Sequence, residues 1–291
     1  MSEKKYYPET RWELQELCED ESIYLGDIDT SQIRDMNGLF MDSTRTDFSG
    51  IETWDTSNVE DMSYMFDGVK SFNEDISKWN VSRVENMQAM FANAKSFNRD
   101  ISKWDVSHVK DMSDMFRGAK SFNQDIGGWD VSHVEDMGSM FWSAESFNQP
   151  IGKWNVSNVE NMYCMFAYAA SFNQEIGQWD VSNVKSMDWM FEKAKSFNQD
   201  ISKWDTTKVK GMYEMFSGAA SFNQDITHWS ISNVEDMKDM FKNAISFKQL
   251  LPKEWVEKVG YENPKKVKRK ISLKPKAKAV QLNKEKGSRG D

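Results

Sequence analysis

Trp104-Asp-Val-Ser-His-Val109-Lys-Asp-Met112-Ser-Asp-Met115-Phe116-Arg-Gly-Ala119-Lys-Ser121-Phe122-Asn123-Gln-Asp-Ile126 is one of eight near-copies that follow one another without an insertion in a chain of 291 residues. Trp54, Trp79, Trp104, Trp129, Trp154, Trp179, Trp204 and Trp229 mark them, 25 residues apart. Counted from its Trp, each copy has Val at +5, Met at +8, Met at +11, Phe at +12, Ser at +17 and Phe at +18. A short strict period means a stacked array, in which each unit covers the apolar face of its neighbour. Sixteen of the nineteen methionines belong to the pattern, so they read as core and not as metal ligands.

Within a copy, Ile101-x-x-Trp104-x-Val106 spaces its apolar residues as a leucine-rich repeat spaces L-x-x-L-x-L, which predicts a short strand on Trp-Asp-Val. Ser57/Glu60, Ser82/Glu85, Ser132/Glu135, Ser157/Glu160 and Ser232/Glu235 have the spacing of a helical capping box. On a helical wheel +5, +8, +11, +12 and +15 form one apolar stripe, so a helix of about three turns is expected after each strand. The fold class expected is therefore α/β: a leucine-rich-repeat-like solenoid with one short parallel strand and one short helix per repeat. Asn at +19, from Asn73 through Asn223, is expected to form a hydrogen-bonded ladder from turn to turn.

The ends depart from the pattern. Residues 1–27 read as an N-terminal cap whose helix, Thr10-Arg-Trp12-Glu-Leu14-Gln-Glu-Leu17-Cys18, turns Trp12, Leu14 and Leu17 inward. Residues 28–251 read as one degenerate and eight regular repeats, 252–263 as a C-terminal cap, and 264–291 as a basic disordered tail. Residues 253–291 hold thirteen Lys/Arg against five Asp/Glu; with a chain total of −9, residues 1–252 carry −17. An acidic body of that size repels phosphate backbones, which argues against nucleic-acid binding by the solenoid. Lys265, Lys266, Lys268, Arg269 and Lys270 form an electrostatic segment suited to an anionic surface.

No stretch approaches the ~20 apolar residues of a membrane span. Neither a signal segment nor a lipid-attachment cysteine is evident, and the two cysteines, Cys18 and Cys164, form no framework; a cytoplasmic location is expected. No catalytic residue, cofactor or metal is expected. His108 and His133 share the +4 position but lack a third ligand, and the +1 column of Asp55, Asn80, Asp105, Asp130, Asn155, Asp180 and Asp205 reads as turn side chains in preference to a calcium ladder.

The unit F-N-Q-D-I-S-K-W-D-V-S-x-V-x-x-M-x-x-M-F-x-x-A-x-S resembles the repeat of BspA-type leucine-rich-repeat-like bacterial surface proteins, also met in Mycoplasma lipoproteins, over residues 28–251. The resemblance implies an adhesion or interaction protein without an enzymatic site, and leaves the cell surface open as a location. Recognition by a repeat protein sits where copies differ, here at +9, +10, +13 and +14. On the expected helix +10, +13 and +14 face solvent and present Trp142, Tyr168 and Trp189, with Tyr163 and Tyr213 on the flank at +9, residue types that dominate binding hot spots. The function expected is a non-enzymatic protein-recognition scaffold whose partner is another protein or itself; the alternatives are a surface adhesin for host protein or glycan, and a self-assembling structural protein.

Overall fold

The computed structural model describes residues 3–261 and 263. The chain winds as a right-through stack of 25-residue turns, and the repeat solenoid expected from the period is what forms. The expected internal architecture of each turn is not. Among the described residues the helices are α1 (Arg11–Glu19) and α2 (Lys253–Val259), with single 3-10 turns at Leu25–Asp27 and Ile51–Thr53. None lies inside a regular copy between its Trp and the next.

In place of the predicted helix each copy has a ribbon of β-turns. The N–H groups of Met62, Tyr64, Phe66 and Gly68 donate across to the carbonyls of Asn86, Gln88, Met90 and Ala92 in the next copy, at 2.8–3.0 Å. The N–H groups between them fold back, Met65 onto Met62, Asp67 onto Tyr64 and Val69 onto Phe66, at 3.1–3.3 Å. An α-helix needs every one of these amides for its own carbonyls four residues back, so stacking in register excludes it. The first and last of these three turns have a left-handed residue at their third position. That residue falls at +10 (Tyr64, Ala89, Asp114, Ser139, Cys164, Trp189, Glu214, Asp239) and at +14, where Gly68, Asn93, Gly118, Gly218 and Asn243 are the residue types that tolerate it best.

The predicted strand on Trp-Asp-Val is likewise absent. Parallel pairing occurs as isolated bridges at +7, running Asp61, Asn86, Asp111, Asp136, Asn161, Ser186, Gly211 and Asp236. The capping boxes do not form either. Ser82 N–H donates to Asn80 Oδ1 at 3.1 Å, while the Glu85 amide pairs with the Glu60 carbonyl at 2.8 Å and its carboxylate takes Lys110 Nζ at 2.6 Å. The Asp and Asn side chains shape the corners. At +1, +7 and +21 each accepts the amide two residues on, as Asp105 does from Ser107 (3.2 Å), Asp111 from Ser113 (2.8 Å) and Asp100 from Ser102 (2.9 Å).

Inside, identical side chains stack. Phe66, Phe91 and Phe116 follow at 5.7 and 5.8 Å between centroids, and a parallel column of Phe72, Phe97 and Phe122 at 5.9 and 6.0 Å. Each repeat Trp buries its ring and donates its indole N–H to a carbonyl one copy back, Trp54 to Leu25 at 2.9 Å and the other seven to an Ile, as Trp104 does to Ile76 at 3.2 Å. The asparagine ladder forms through the side-chain carbonyl: Asn123 N–H donates to Asn98 Oδ1 at 2.9 Å, and Asn148 N–H to Asn123 Oδ1 at 2.9 Å.

Both ends are covered. A capping box starts α1, with Thr10 Oγ1 accepting from Glu13 N–H (3.3 Å) and the Glu13 carboxylate from Thr10 N–H (3.2 Å). Leu14 and Cys18, four residues apart, set its buried face. Trp12 lies off that face and is 69% exposed, not inward as expected; the Arg11 guanidinium sits 4.7 Å over its ring. At the other end Trp255 and Val259 of α2 bury against the last copy, and Lys258 Nζ donates to the carbonyls of Ile231 (3.3 Å) and Val234 (3.0 Å). The basic segment Lys265, Lys266, Lys268, Arg269 and Lys270 lies outside the described residues. Among the described residues no helix is long and apolar enough to cross a membrane.

Candidate functional site

The five aromatic candidates project from the turn ribbon and not from helices, so the face expected to be helical is a stack of β-turns. The ribbon brings them together in two rows. Trp189 is the centre of the first, with Tyr163 at 5.3 Å and Tyr213 at 4.8 Å, both edge-to-face at 72°. These are one side chain from each of three consecutive copies, in the arrangement aromatic quadrupoles favour. Tyr163 is 41% exposed and the other two are half-buried. Trp142 and Tyr168 make the second row, 5.9 Å apart at 67°.

Charge fixes the second row. Lys193 Nζ lies 4.4 Å from the centroid of the Tyr168 ring, donates to its hydroxyl at 2.6 Å and pairs with Glu192 at 3.0 Å. The Tyr168 hydroxyl in turn donates to Glu192 Oε1 at 3.1 Å. The Lys193 ammonium is held above its ordinary value by these hydrogen bonds, Tyr168 first and then Glu192. Cys164, between the rows, is buried, and burial pushes its thiol up to about 12, so it is not a reactive thiolate.

The first row borders a groove of about 710 Å³ lined by Trp189 and Tyr213 together with Lys185, Asp188, Lys210 and Glu235. Sequence reasoning named the rings but missed the groove. It lies where the +7 corner loses its Asp or Asn, at Ser186 and Gly211. Asp188 of one copy takes over, accepting Tyr213 N–H of the next at 2.7 Å, and a Cβ at position 211 would overlap its carboxylate. The two interruptions of an otherwise regular Asp/Asn column are visible in the sequence; their meaning depends on the corners.

Among the described residues no group of three or more His, Cys, Asp or Glu is arranged to hold a metal ion. The +1 carboxylates accept amides in their own corners, and the Ser107 bonds, side chain then backbone, hold Asp105 below the usual carboxylate range.

Neither the curated proteins nor the solved structures compared with the chain include a match. The family described as "Mycoplasma protein of unknown function, DUF285" matches residues 13–112, 99–188 and 169–267 in tandem, and the chain belongs to that family.

Proposed function

We propose that the chain is a non-enzymatic recognition scaffold that binds a protein partner through the Tyr163, Trp189 and Tyr213 row and its groove. The observation that carries this reading is the edge-to-face row itself, built from three copies at variable positions and set beside paired charges of both signs. Tryptophan and tyrosine beside a polar rim are the composition of interface hot spots. The rigid stack supplies the preorganisation that reduces the entropic cost of binding.

Trp189→Asn tests it cleanly. Position 189 has φ +54°, which asparagine tolerates better than tryptophan, so the ring is removed without adding backbone strain. Tagged wild-type and variant chains are used to capture partners from native lysate beside thermal melts of each. A partner held by the wild type and lost from a folded variant supports the reading; equal capture by both overturns it.

A surface-adhesin role is the second reading, supported by the resemblance of the 25-residue unit to BspA-type surface repeats. Cleavage of the chain by protease added to intact cells distinguishes it from an internal scaffold.

A further inference from the structure

A different corner of the repeat, +21 to +24, has a second interruption. In five copies the amide at +23 is satisfied by the carboxylate at +21: Ser77 by Asp75, Ser102 by Asp100, Gly127 by Asp125, Ser202 by Asp200 and Thr227 by Asp225, at 2.9–3.0 Å. Two adjacent copies break the rule. Pro150 has no carboxylate, and Glu175 is one methylene too long for the local turn. Among the described residues no acceptor meets the N–H of Gly152 or of Gly177. Both glycines are half-buried, and leaving two such donors open is unfavourable unless water or a ligand meets them.

These amides lie in a trough of about 890 Å³ over the central copies, a volume within the range of small-ligand sites. Its floor is bare glycine, and as these copies lie a Cβ at Gly127, Gly152 or Gly177 would overlap the carbonyl oxygen of Pro150, Glu175 or Asp200 in the next copy. The copies before and after carry Ser and Lys at +23 and +24, so the trough ends where the ordinary repeat resumes. Lys153 and Lys203 add donors on its walls, while Glu175 and Asp200 add acceptors.

We propose that this trough is a binding site for a neutral oligosaccharide, whose hydroxyls take the Gly152 and Gly177 amides as donors and the wall carboxylates as acceptors. A hydroxyl both gives and accepts a hydrogen bond, which fits a lining that offers both. A simple anion would meet the carboxylates and a cation would meet the lysines. The site lies on a different corner from the aromatic row and is independent of what that row binds.

The test restores the missing carboxylates. Pro150→Asp with Glu175→Asp rebuilds the corner found in the other copies and occupies both amides from within. Calorimetric titration uses maltotetraose, cellotetraose and tetra-N-acetylchitotetraose as neutral probes and tetragalacturonate as the charged one. At least one neutral tetrasaccharide is expected to bind the wild type and to shift the Gly152 and Gly177 amide resonances. The double variant is expected to fold at least as stably and to bind ten or more times more weakly, whereas Trp189→Asn binds as the wild type does. Absence of binding by every neutral probe, tighter binding of tetragalacturonate than of all three, bound probe that leaves both amide resonances in place, or undiminished binding by the double variant would overturn the proposal.

Discussion

Gln174 reaches one copy back to Asn148, its Nε2 donating to the Asn148 carbonyl at 2.9 Å and to its side-chain Oδ1 at 3.0 Å, while the N–H of Asn173 meets that same Oδ1 at 2.9 Å. One amide oxygen thus joins two turns twice. The same bonds recur between Asn123 and Gln149 and between Asn198 and Gln224.

The role of Asn148 is that of an acceptor. Asn148→Ala leaves the Asn173 amide and the Gln174 side chain short of a partner and is expected to cost about 1–3 kcal/mol. Asn148→Asp keeps an oxygen in place and is expected to retain most of the stability. Urea titrations of the two variants check this, and equal losses would show that the ladder is not held through Oδ1.

The left-handed positions make opposite predictions for glycine. Glu214 has φ +48°, and Glu214→Gly is expected to stabilise by roughly 0.5–1 kcal/mol, since relief of left-handed strain exceeds the added freedom of the unfolded chain. Gly50 has φ +91°, and a Cβ there would overlap the backbone of Gly26, so Gly50→Ala is expected to lower the melting temperature. A thermal melt of each variant decides both.

Arg45 is buried, 4% exposed, and gives its guanidinium to four backbone carbonyls: Asp47 at 2.6 Å, Cys18 at 3.1 Å, Asp20 at 3.2 Å and Ile23 at 2.6 Å. It joins the end of α1 to the first turns. A single ammonium cannot span that arc, so Arg45→Lys is expected to destabilise almost as much as Arg45→Met, by about 3 kcal/mol. Exposure of α1 to limited proteolysis would report the loss.

The corners make stability depend on acid. Hydrogen bonds from Ser57 hold Asp55 below its ordinary 3.8, and those from Ser132 do the same for Asp130. A carboxyl lowered on folding stabilises the fold above its unfolded value and loses that contribution as pH falls through the folded one. Asp67 and Asp114 are raised instead, burial being the largest cause, so their protonation favours the fold and offsets part of the loss. The melting temperature is expected to hold constant from neutrality down to about pH 5 and to fall below pH 3.8. An unchanged melt at pH 3 would contradict the corner argument.

The period, the core and the asparagine ladder were legible in the chain alone. Identical residues 25 apart can only stack on one another, and Met62, Phe66, Phe72 and Trp79 are buried as that stacking requires. The expected helix was not legible as an error, because apolar residues at +5, +8, +11, +12 and +15 fit a helical face and a series of three-residue turns equally well. Gly68, Asn93 and Gly118 at +14 were the contrary signal, residues a helix disfavours and a left-handed turn selects. What decided between the two was tertiary. Once copies lie in register, each amide at +8, +10, +12 and +14 finds a carbonyl in the next copy, and a hydrogen-bond donor taken across the stack is no longer free to close a helix. The same holds for the sites: the sequence named Trp189 and Tyr163 as exposed rings, but their placement edge-to-face exists only between neighbouring turns, and Pro150 and Glu175 gain meaning only once the other copies show what an Asp does at that corner.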